Sequence, residues 1–253
     1  MLAIRHSQAM TPNASLQDSP AQPRESNTEW LRRQGASSGI ILLGGSSLAH
    51  FRIRVAQSNV RTDLLPSFWS LVGILVDGHT FASVPLDGMA DPSVVPRTNG
   101  VQTCRIEDYD DPVRFPNVAI LHFTDDERPI QQNIDRVTSQ RSVIDLPALM
   151  LPWLGYIWSV GQAGNPLLTG NGLPSAAFVE AVYGIAGIEL TPGLSSASSC
   201  PEAIWAAAKW WHQFYDEEIG MGDDAHAVAR IPTGRFAVRQ SAAAVVETPR
   251  PNR

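Results

Sequence analysis

The strongest constraint on the fold is an apolar run at residues 68–76, which ends at the dipeptide Asp77-Gly78. This dipeptide favours a tight hairpin turn into a second strand over residues 79–84. A run without polar alternation is typical of a strand that is covered on both faces. A helix is disfavoured because Pro66 and Gly73 interrupt the segment and because it is short. We therefore predict a central strand here, in the middle of a core sheet.

Composition limits the class of protein. The chain has 253 residues, of which 43% are apolar and 17% charged, so it can bury a sizeable core. A formal net charge of −6 argues against nucleic-acid binding, which normally requires a basic surface. Cys104 and Cys200 allow one disulfide at most, which fits a reducing compartment slightly better. No apolar run reaches the roughly 18 residues of a membrane span. We expect a cytoplasmic globular protein.

Further strands follow from short apolar segments between turns. Residues 39–43, 100–106 and 117–123 are predicted strands. Residues 48–56 alternate between apolar and polar positions, which indicates a strand, although a helical turn also fits. Short connections between these segments favour a mainly antiparallel sheet or half-barrel.

The second half of the chain has helical spacing. Helices are predicted over residues 126–141, over 175–186 with Gly187 as the terminating residue, and over 201–218. Residues 144–160 are apolar but ambiguous. The order of strands and helices predicts an α+β fold, with an antiparallel sheet packed against helices.

Three regions are expected along the chain. Residues 1–37 are polar and are predicted to be a flexible N-terminal arm. Trp30 is the exception, since it docks either on a partner or on the protein's own domain. Residues 38–219 form the domain, and residues 220–253 are expected to be an extended C-terminal tail.

Five segments occur in an informative order, at residues 39–42, 69–74, 99–102, 118–121 and 175–188. Together they resemble the circularly permuted NlpC-type papain-like hydrolases, in the branch related to lecithin–retinol acyltransferase. The resemblance spans roughly residues 39–205. It implies a permuted papain-like fold.

The resemblance also implies where catalytic residues would lie. In that family a strand histidine is the general base, a cysteine at a helix start is the nucleophile, and a polar residue on the neighbouring strand orients the histidine. These positions correspond here to Leu71, to Ser175 and to Ala82, with Phe81 or Ser83 as one-residue alternatives. Leucine cannot accept a proton, and an unassisted serine is a poor nucleophile at neutral pH. The scaffold is expected to persist without the family's chemistry.

Other residues could replace the missing groups. Cys200 begins the last predicted helix, where the helix N-terminus would lower a thiol pKa. His79 and His50 are the alternative bases. No two histidines have metal-ligand spacing such as His-x-x-x-His, so we expect neither a metal nor a cofactor.

Aromatic residues suggest a partner. The helix at residues 201–218 has a buried apolar stripe, while Trp210 and Phe214 point to a different side. An aromatic surplus on two faces indicates that another chain covers the helix. We expect Trp69, Trp210 and Phe214 to be binding residues.

The leading hypothesis is therefore a catalytically inactive papain-like domain, a structural or binding module within a protein assembly. A protein partner or a second copy would bind the terminal arms and the helix at residues 201–218. The alternative is an active hydrolase or acyltransferase on amide or ester bonds, which would use Ser175 or Cys200 with a relocated histidine. A third possibility is a closed pocket for a lipid or peptide without turnover.

Overall fold

The computed structural model describes residues 25–86, 99–158, 163–218 and 235–240, without the side chains of residues 214–218 and 235. The strands of this part are β1 (Ile40–Gly44), β2 (Leu71–Leu75), β3 (Thr80–Ser83), β4 (Gln102–Arg105), β5 (Asn117–His122) and β6 (Arg235–Arg239). Its α-helices are α1 (Asn27–Arg33), α2 (Leu48–Ala56), α3 (Arg128–Ser139), α4 (Leu146–Ile157), α5 (Pro174–Ile185) and α6 (Pro201–Glu218). No helix within these ranges is long and apolar enough to cross a membrane.

The strands form one antiparallel sheet in the order β4-β3-β2-β1-β5-β6, with β4 and β6 at its edges. β2 pairs with β1, with Leu71 opposite Leu43, and with β3, with Gly73 opposite Ser83. The α+β class and the antiparallel sheet predicted from the sequence are confirmed.

The predicted burial of the central strand on both faces is also observed. Val72 and Ile74 belong to the larger core cluster, which contains the apolar residues of α3, α4, α5 and α6. Leu71 and Leu75 belong to a second cluster on the opposite face, with Trp30 of α1. We call these the helix face and the α1 face. All five residues of β2 are buried, which explains why its sequence lacks polar alternation.

Two ambiguous segments are helices. Residues 48–56 form α2 rather than a strand, because the Ser47 hydroxyl caps the helix by accepting the backbone N–H of His50. The apolar segment at residues 144–160 contains α4, whose Asp145 side chain caps the first turn. In each case a capping residue decides the outcome over a local apolar pattern.

The N-terminal boundary differs from the prediction. Residues 27–33, assigned above to the arm, form α1, which begins with a capping box between Ser26 and Glu29. Trp30 and Leu31 are 4% and 2% exposed, so the tryptophan packs on its own domain. Residues from 25 onward therefore belong with the domain, and residues 1–24 lie outside the described part.

The C-terminal segment at residues 220–253 also contributes to the sheet, because β6 pairs with β5 along the edge. Arg239 of β6 donates to the carbonyl oxygen of Glu25 at 2.9 Å and also to the side chain of Asn27. Its guanidinium carbon lies 5.8 Å from the ring centre of Trp30. The last strand thus holds the first helix against the domain, and the rest of this segment lies outside the described residues.

Candidate functional site

A small cavity lies where the start of β2 meets the N-terminus of α5. The cavity has a volume of about 10 Å³, which is enough space for about one water molecule. Each lining residue is at most 7% exposed. The lining residues are His50, Ile53, Ser70, Leu71, Val84, Leu86, Leu173 and Ser175. Leu71 and Ser175, which the resemblance pairs as base and nucleophile positions, therefore line one cavity.

Ser175 lies in the first turn of α5. Pro174 precedes it at the first helical position, where the fixed φ of proline favours helix initiation. The serine is fully buried, and its Oγ has no hydrogen-bond partner among the residues that the structure describes. Burying a hydroxyl without a partner costs about 1–3 kcal/mol. The folded state therefore gains no stability from this hydroxyl group, so stability does not explain why a serine occupies position 175.

Leu71 contributes to the cavity and also packs on the α1 face. Strand alternation places Phe81 and Ser83 on that same face of the sheet, whereas Ala82 packs on the helix face. The orienting position therefore fits Phe81 or Ser83 better than Ala82. The Ser83 hydroxyl donates to the carbonyl oxygen of Val72 at 2.6 Å, so it serves the sheet.

His50 is the alternative base that lines the cavity. Its ring packs edge-on against Phe115, with the ring centres 5.2 Å apart. It also covers Gly45, where an added Cβ would lie 2.3 Å from Cδ2 of His50. Only a glycine at position 45 leaves room for this ring position.

His79 is excluded from the cavity. It lies exposed in the turn between β2 and β3, at the end of β2 opposite Leu71. Its backbone N–H donates to Oδ1 of Asp77 at 2.7 Å, which is a turn contact. A histidine there cannot act on Ser175.

Cys200 directly precedes α6 and is 1% exposed. Burial, reinforced by the nearby Glu202 and Glu180 carboxylates, raises the pKa of its thiol to about 12. The helix N-terminus does not compensate, so the nucleophilic thiolate is not populated at neutral pH. Cys200 and Cys104 are both buried and do not form the possible disulfide with each other.

The three expected binding residues differ in exposure. Trp69 is fully buried and packs edge-on against Trp205, with ring centres 5.4 Å apart. It is therefore a core residue, and it packs with the cluster on the helix face. Trp210 is 54% exposed and packs against Trp211. The side chain of Phe214 lies outside the described part.

Sequence reasoning missed a buried carboxylate at the N-terminus of α6. Glu202 accepts the Ser67 hydroxyl at 2.6 Å and the Arg61 guanidinium at 3.3 Å. Its backbone N–H donates to Oε1 of Gln57 at 2.9 Å. Burial raises the pKa of Glu202, while the Ser67 hydrogen bond and the Arg61 charge lower it.

A second buried carboxylate, Glu180, is the acidic residue within the otherwise apolar α5. It accepts the Thr191 hydroxyl at 2.6 Å and the Ser199 hydroxyl at 2.9 Å. Burial raises its pKa. The available sequence signal was a charged residue inside an apolar helical stretch, which is uncommon unless the charge has partners. The carboxylates of Glu202 and Glu180 accept hydrogen bonds from neighbouring loops, and these bonds hold the loops against α6 and α5.

Within the described ranges, no three His, Cys, Asp or Glu side chains form a group that could hold a metal ion. No protein-family model matches this chain, and no curated protein or solved structure is significantly similar to it.

Proposed function

We propose that this chain is a catalytically inactive papain-like domain that serves as a structural or binding module within a protein assembly. The observation that supports this best is the cavity between Leu71 and Ser175. Leucine occupies the base position, and the space admits only a water-sized group. An amide or ester substrate needs far more room, since ligand pockets usually measure about 300–1,000 Å³. The same size argues against a lipid or peptide pocket.

The alternative catalytic residues add support. Cys200 is a buried thiol whose pKa is raised to about 12, and His79 lies at the wrong end of β2. A cysteine hydrolase needs a thiolate beside an imidazole, and these two residues do not provide one.

Two features support a role in binding. Trp210 leaves more than half of its surface exposed on α6. In addition, the contact between Glu25 and Arg239 holds the attachment points of the two terminal segments side by side. The two ends of the described part therefore lie side by side, where one partner or a second copy of the chain could bind both.

The absence of catalysis can be tested with activity-based probes. A fluorophosphonate for serine nucleophiles and an epoxide for cysteine nucleophiles are expected to leave the folded protein unlabelled. Stoichiometric modification of Ser175 or Cys200, located by mass spectrometry, contradicts the proposal. Labelling must be compared with the denatured protein, which shows the background reactivity of each residue.

The binding role can be tested by light scattering and co-purification. We expect an oligomer or a stable partner complex that Trp210→Ala weakens. Leu168→Ala is a matched control, since Leu168 is 69% exposed and lies outside α6. A monomer that purifies without a partner counts against a role in assembly.

A second candidate function is favoured by one specific observation. Ser175 and His50 line the same cavity, and the Ser175 hydroxyl has no partner. A serine hydrolase that opens the cavity to admit its substrate would use this pair as nucleophile and base. In that case the fluorophosphonate labels Ser175, and His50→Gln reduces the labelling rate by at least about 100-fold, the usual contribution of a general base.

A further inference from the structure

The face of α4 that points away from the core is apolar. No residue of this helix carries a charge. Its buried residues are Leu146, Leu149, Trp153 and Ile157. On the opposite face Leu151 is 72% exposed, and Trp158, directly after the helix, is 61% exposed. A surface helix normally carries polar residues on its outer face, whereas a helix that is apolar all round is normally covered on both sides. A second surface is therefore expected to cover this outer face.

Large and small side chains alternate along the outer face. Its residues are Ala148, Leu151, Gly155 and Trp158. They are spaced by three, four and three positions, as are the contact positions of helices that pack side by side. Among the described residues, a Cβ added to Gly155 would meet only the Cβ of Ala163, at 3.8 Å. The glycine therefore leaves an open notch on the surface of the helix beside the exposed Leu151.

Two copies of this face are complementary when the helices run in opposite directions. About a two-fold axis near residue 153, Leu151 lies opposite Gly155 of the second copy, and Ala148 lies opposite Trp158. Each large side chain then meets a small one, and the symmetry forms each pair twice. Parallel helices would instead place Leu151 against Leu151 and Gly155 against Gly155. That arrangement crowds one layer and leaves a void in the next, which close packing disfavours.

The charges at the two ends of α4 favour the same antiparallel direction. Asp145 caps the N-terminus of the helix and is exposed. Arg52 of α2 lies at the other end, where its guanidinium donates to the carbonyl oxygen of Ile157. Antiparallel helices bring the Asp145 end of each copy to the Arg52 end of the other. Parallel helices would bring ends of like charge together, which is unfavourable at an interface.

We propose that the outer face of α4 is the contact surface between two copies of this chain, packed as antiparallel helices about a two-fold axis. The small residues Ala148 and Gly155 let the two helix axes approach to about 8–10 Å. A single pair of helices forms a small interface, so the dimer dissociates in the micromolar range. This dimer uses α4, whereas the assembly role proposed above depends on α6 and the terminal segments. Either one can therefore fail without the other.

Exchanging the large and small residues tests the pairing. Analytical ultracentrifugation of the full chain over a range of concentrations should show a monomer–dimer equilibrium. Gly155→Leu should raise the dissociation constant at least about 30-fold, because two leucines then meet in one layer at the centre of the interface. Adding Leu151→Ala to this variant should restore the dimer, since the large and small residues have then exchanged places. Gly155→Leu should still fold, because its Cβ has an ordinary contact distance to Ala163.

Trp210→Ala is the matched control, since Trp210 is also exposed but lies on α6. It should leave the dissociation constant of the α4 dimer unchanged. If Trp210→Ala removes the association, the contact is made by α6, which overturns the α4 dimer and supports the assembly role proposed above. A wild-type monomer at every concentration, a Gly155→Leu dimer of unchanged affinity, or a failure of Leu151→Ala to restore the dimer also overturns the proposal.

Disulfide cross-linking tests the register independently. A mixture of Leu151→Cys and Gly155→Cys chains should form a disulfide between copies under mild oxidation, because these positions lie opposite each other. A mixture of Ala148→Cys and Leu151→Cys chains should not, since the antiparallel register separates these positions by about 10 Å along the helix axis. Mass spectrometry identifies the linked peptides. Equal cross-linking in the two mixtures, or none in the first, overturns the proposal.

Discussion

The N-termini of α5 and α6 begin in the same way but differ in how their polar groups are satisfied. Each helix opens with a proline followed by a polar residue, Pro174-Ser175 in α5 and Pro201-Glu202 in α6. In α6 the carboxylate of Glu202 is saturated by neighbours from distant loops. In α5 the Ser175 hydroxyl is buried beside a cavity without a partner.

This difference separates structural polar groups from available ones. A carboxylate complements the positive end of a helix, and hydrogen bonds repay the cost of burying it. A buried hydroxyl without a partner loses its hydrogen bonds to water and gains nothing in the fold. The α6 terminus is therefore a structural anchor, while the α5 terminus carries a buried hydroxyl that no described residue bonds.

The largest expected effect follows from breaking the anchor. Glu202→Ala removes a buried partner of both Arg61 and Ser67, which lie in the loop before β2. Removing one member of a buried ion pair costs several kcal/mol, so we expect a loss of about 3 kcal/mol in the free energy of unfolding. Urea denaturation followed by circular dichroism measures this change.

A matched control is available in the same loop. Asp63 also pairs with Arg61, but its side chain is 43% exposed. Asp63→Ala should cost less than about 1 kcal/mol, as is usual for exposed ion pairs. Equal losses for the two variants would show that the α6 terminus is not a buried anchor.

A second test concerns α5 away from its N-terminus, where Tyr183 is fully buried next to Glu127. Burial, with the charges of Asp126 and Asp125, raises the pKa of Glu127 from 4.5 to about 7, while Tyr183 lowers it. Because the pKa of this carboxyl is higher in the folded state, its contribution to stability is complete below pH 4.5 and is lost as the pH rises through about 7.

The measurable quantity is the stability difference between the wild-type protein and Glu127→Gln. The variant should be more stable than the wild-type protein at pH 8 by about 1–2 kcal/mol, an estimate reduced for partial solvent exposure. The difference should vanish well below pH 4.5, where the wild-type carboxyl is protonated in both the folded and the unfolded state. A difference that does not change with pH contradicts the raised pKa.

The third test compares two buried serines. Ser67→Ala should lower the free energy of unfolding by about 1–2 kcal/mol, because it removes a hydrogen bond to a buried carboxylate. Ser175→Ala should instead be neutral or stabilising by up to about 1 kcal/mol, because its hydroxyl has no partner to lose among the described residues. Similar losses for both variants would indicate that Ser175 has a structural partner.

The smallest expected effect concerns Cys200, whose thiol should not react in the folded protein. With a pKa of about 12, only about 1 in 10⁵ Cys200 thiols is a thiolate at pH 7. Iodoacetamide should therefore leave Cys200 unmodified in the folded protein and modify it in urea, as read by mass spectrometry. Rapid modification of the folded protein contradicts a buried, protonated thiol.

Several parts of the fold were predictable because local sequence and final burial agree. The strand β2 and its hairpin to β3 follow from an apolar run and a turn dipeptide, and α5 ends near the predicted Gly187. The helix α2 was not predictable with certainty, because its apolar residues fit both periods and a single Ser47 hydrogen bond decides between them. Trp30 was undecided for a different reason, since its burial depends on distant residues such as Arg239.

The candidate site was predictable only in part. The order of segments paired Leu71 with Ser175, and both line the cavity. The third position, assigned to Ala82, required the strand register to show which residues share a face of the sheet. The sequence also listed His50 and His79 as equal alternatives, and only the three-dimensional structure places one of them beside Ser175.

By itself, the sequence determined the class of the fold, its central strand and the absence of a histidine at position 71, because these depend on local apolar patterns and residue identity. Only the tertiary structure decided which polar groups are satisfied. Ser67 lies 135 positions from Glu202, and Ser70 lies 105 positions from Ser175. Hydrogen bonds and cavities at such separations are created by chain packing, which no local pattern records.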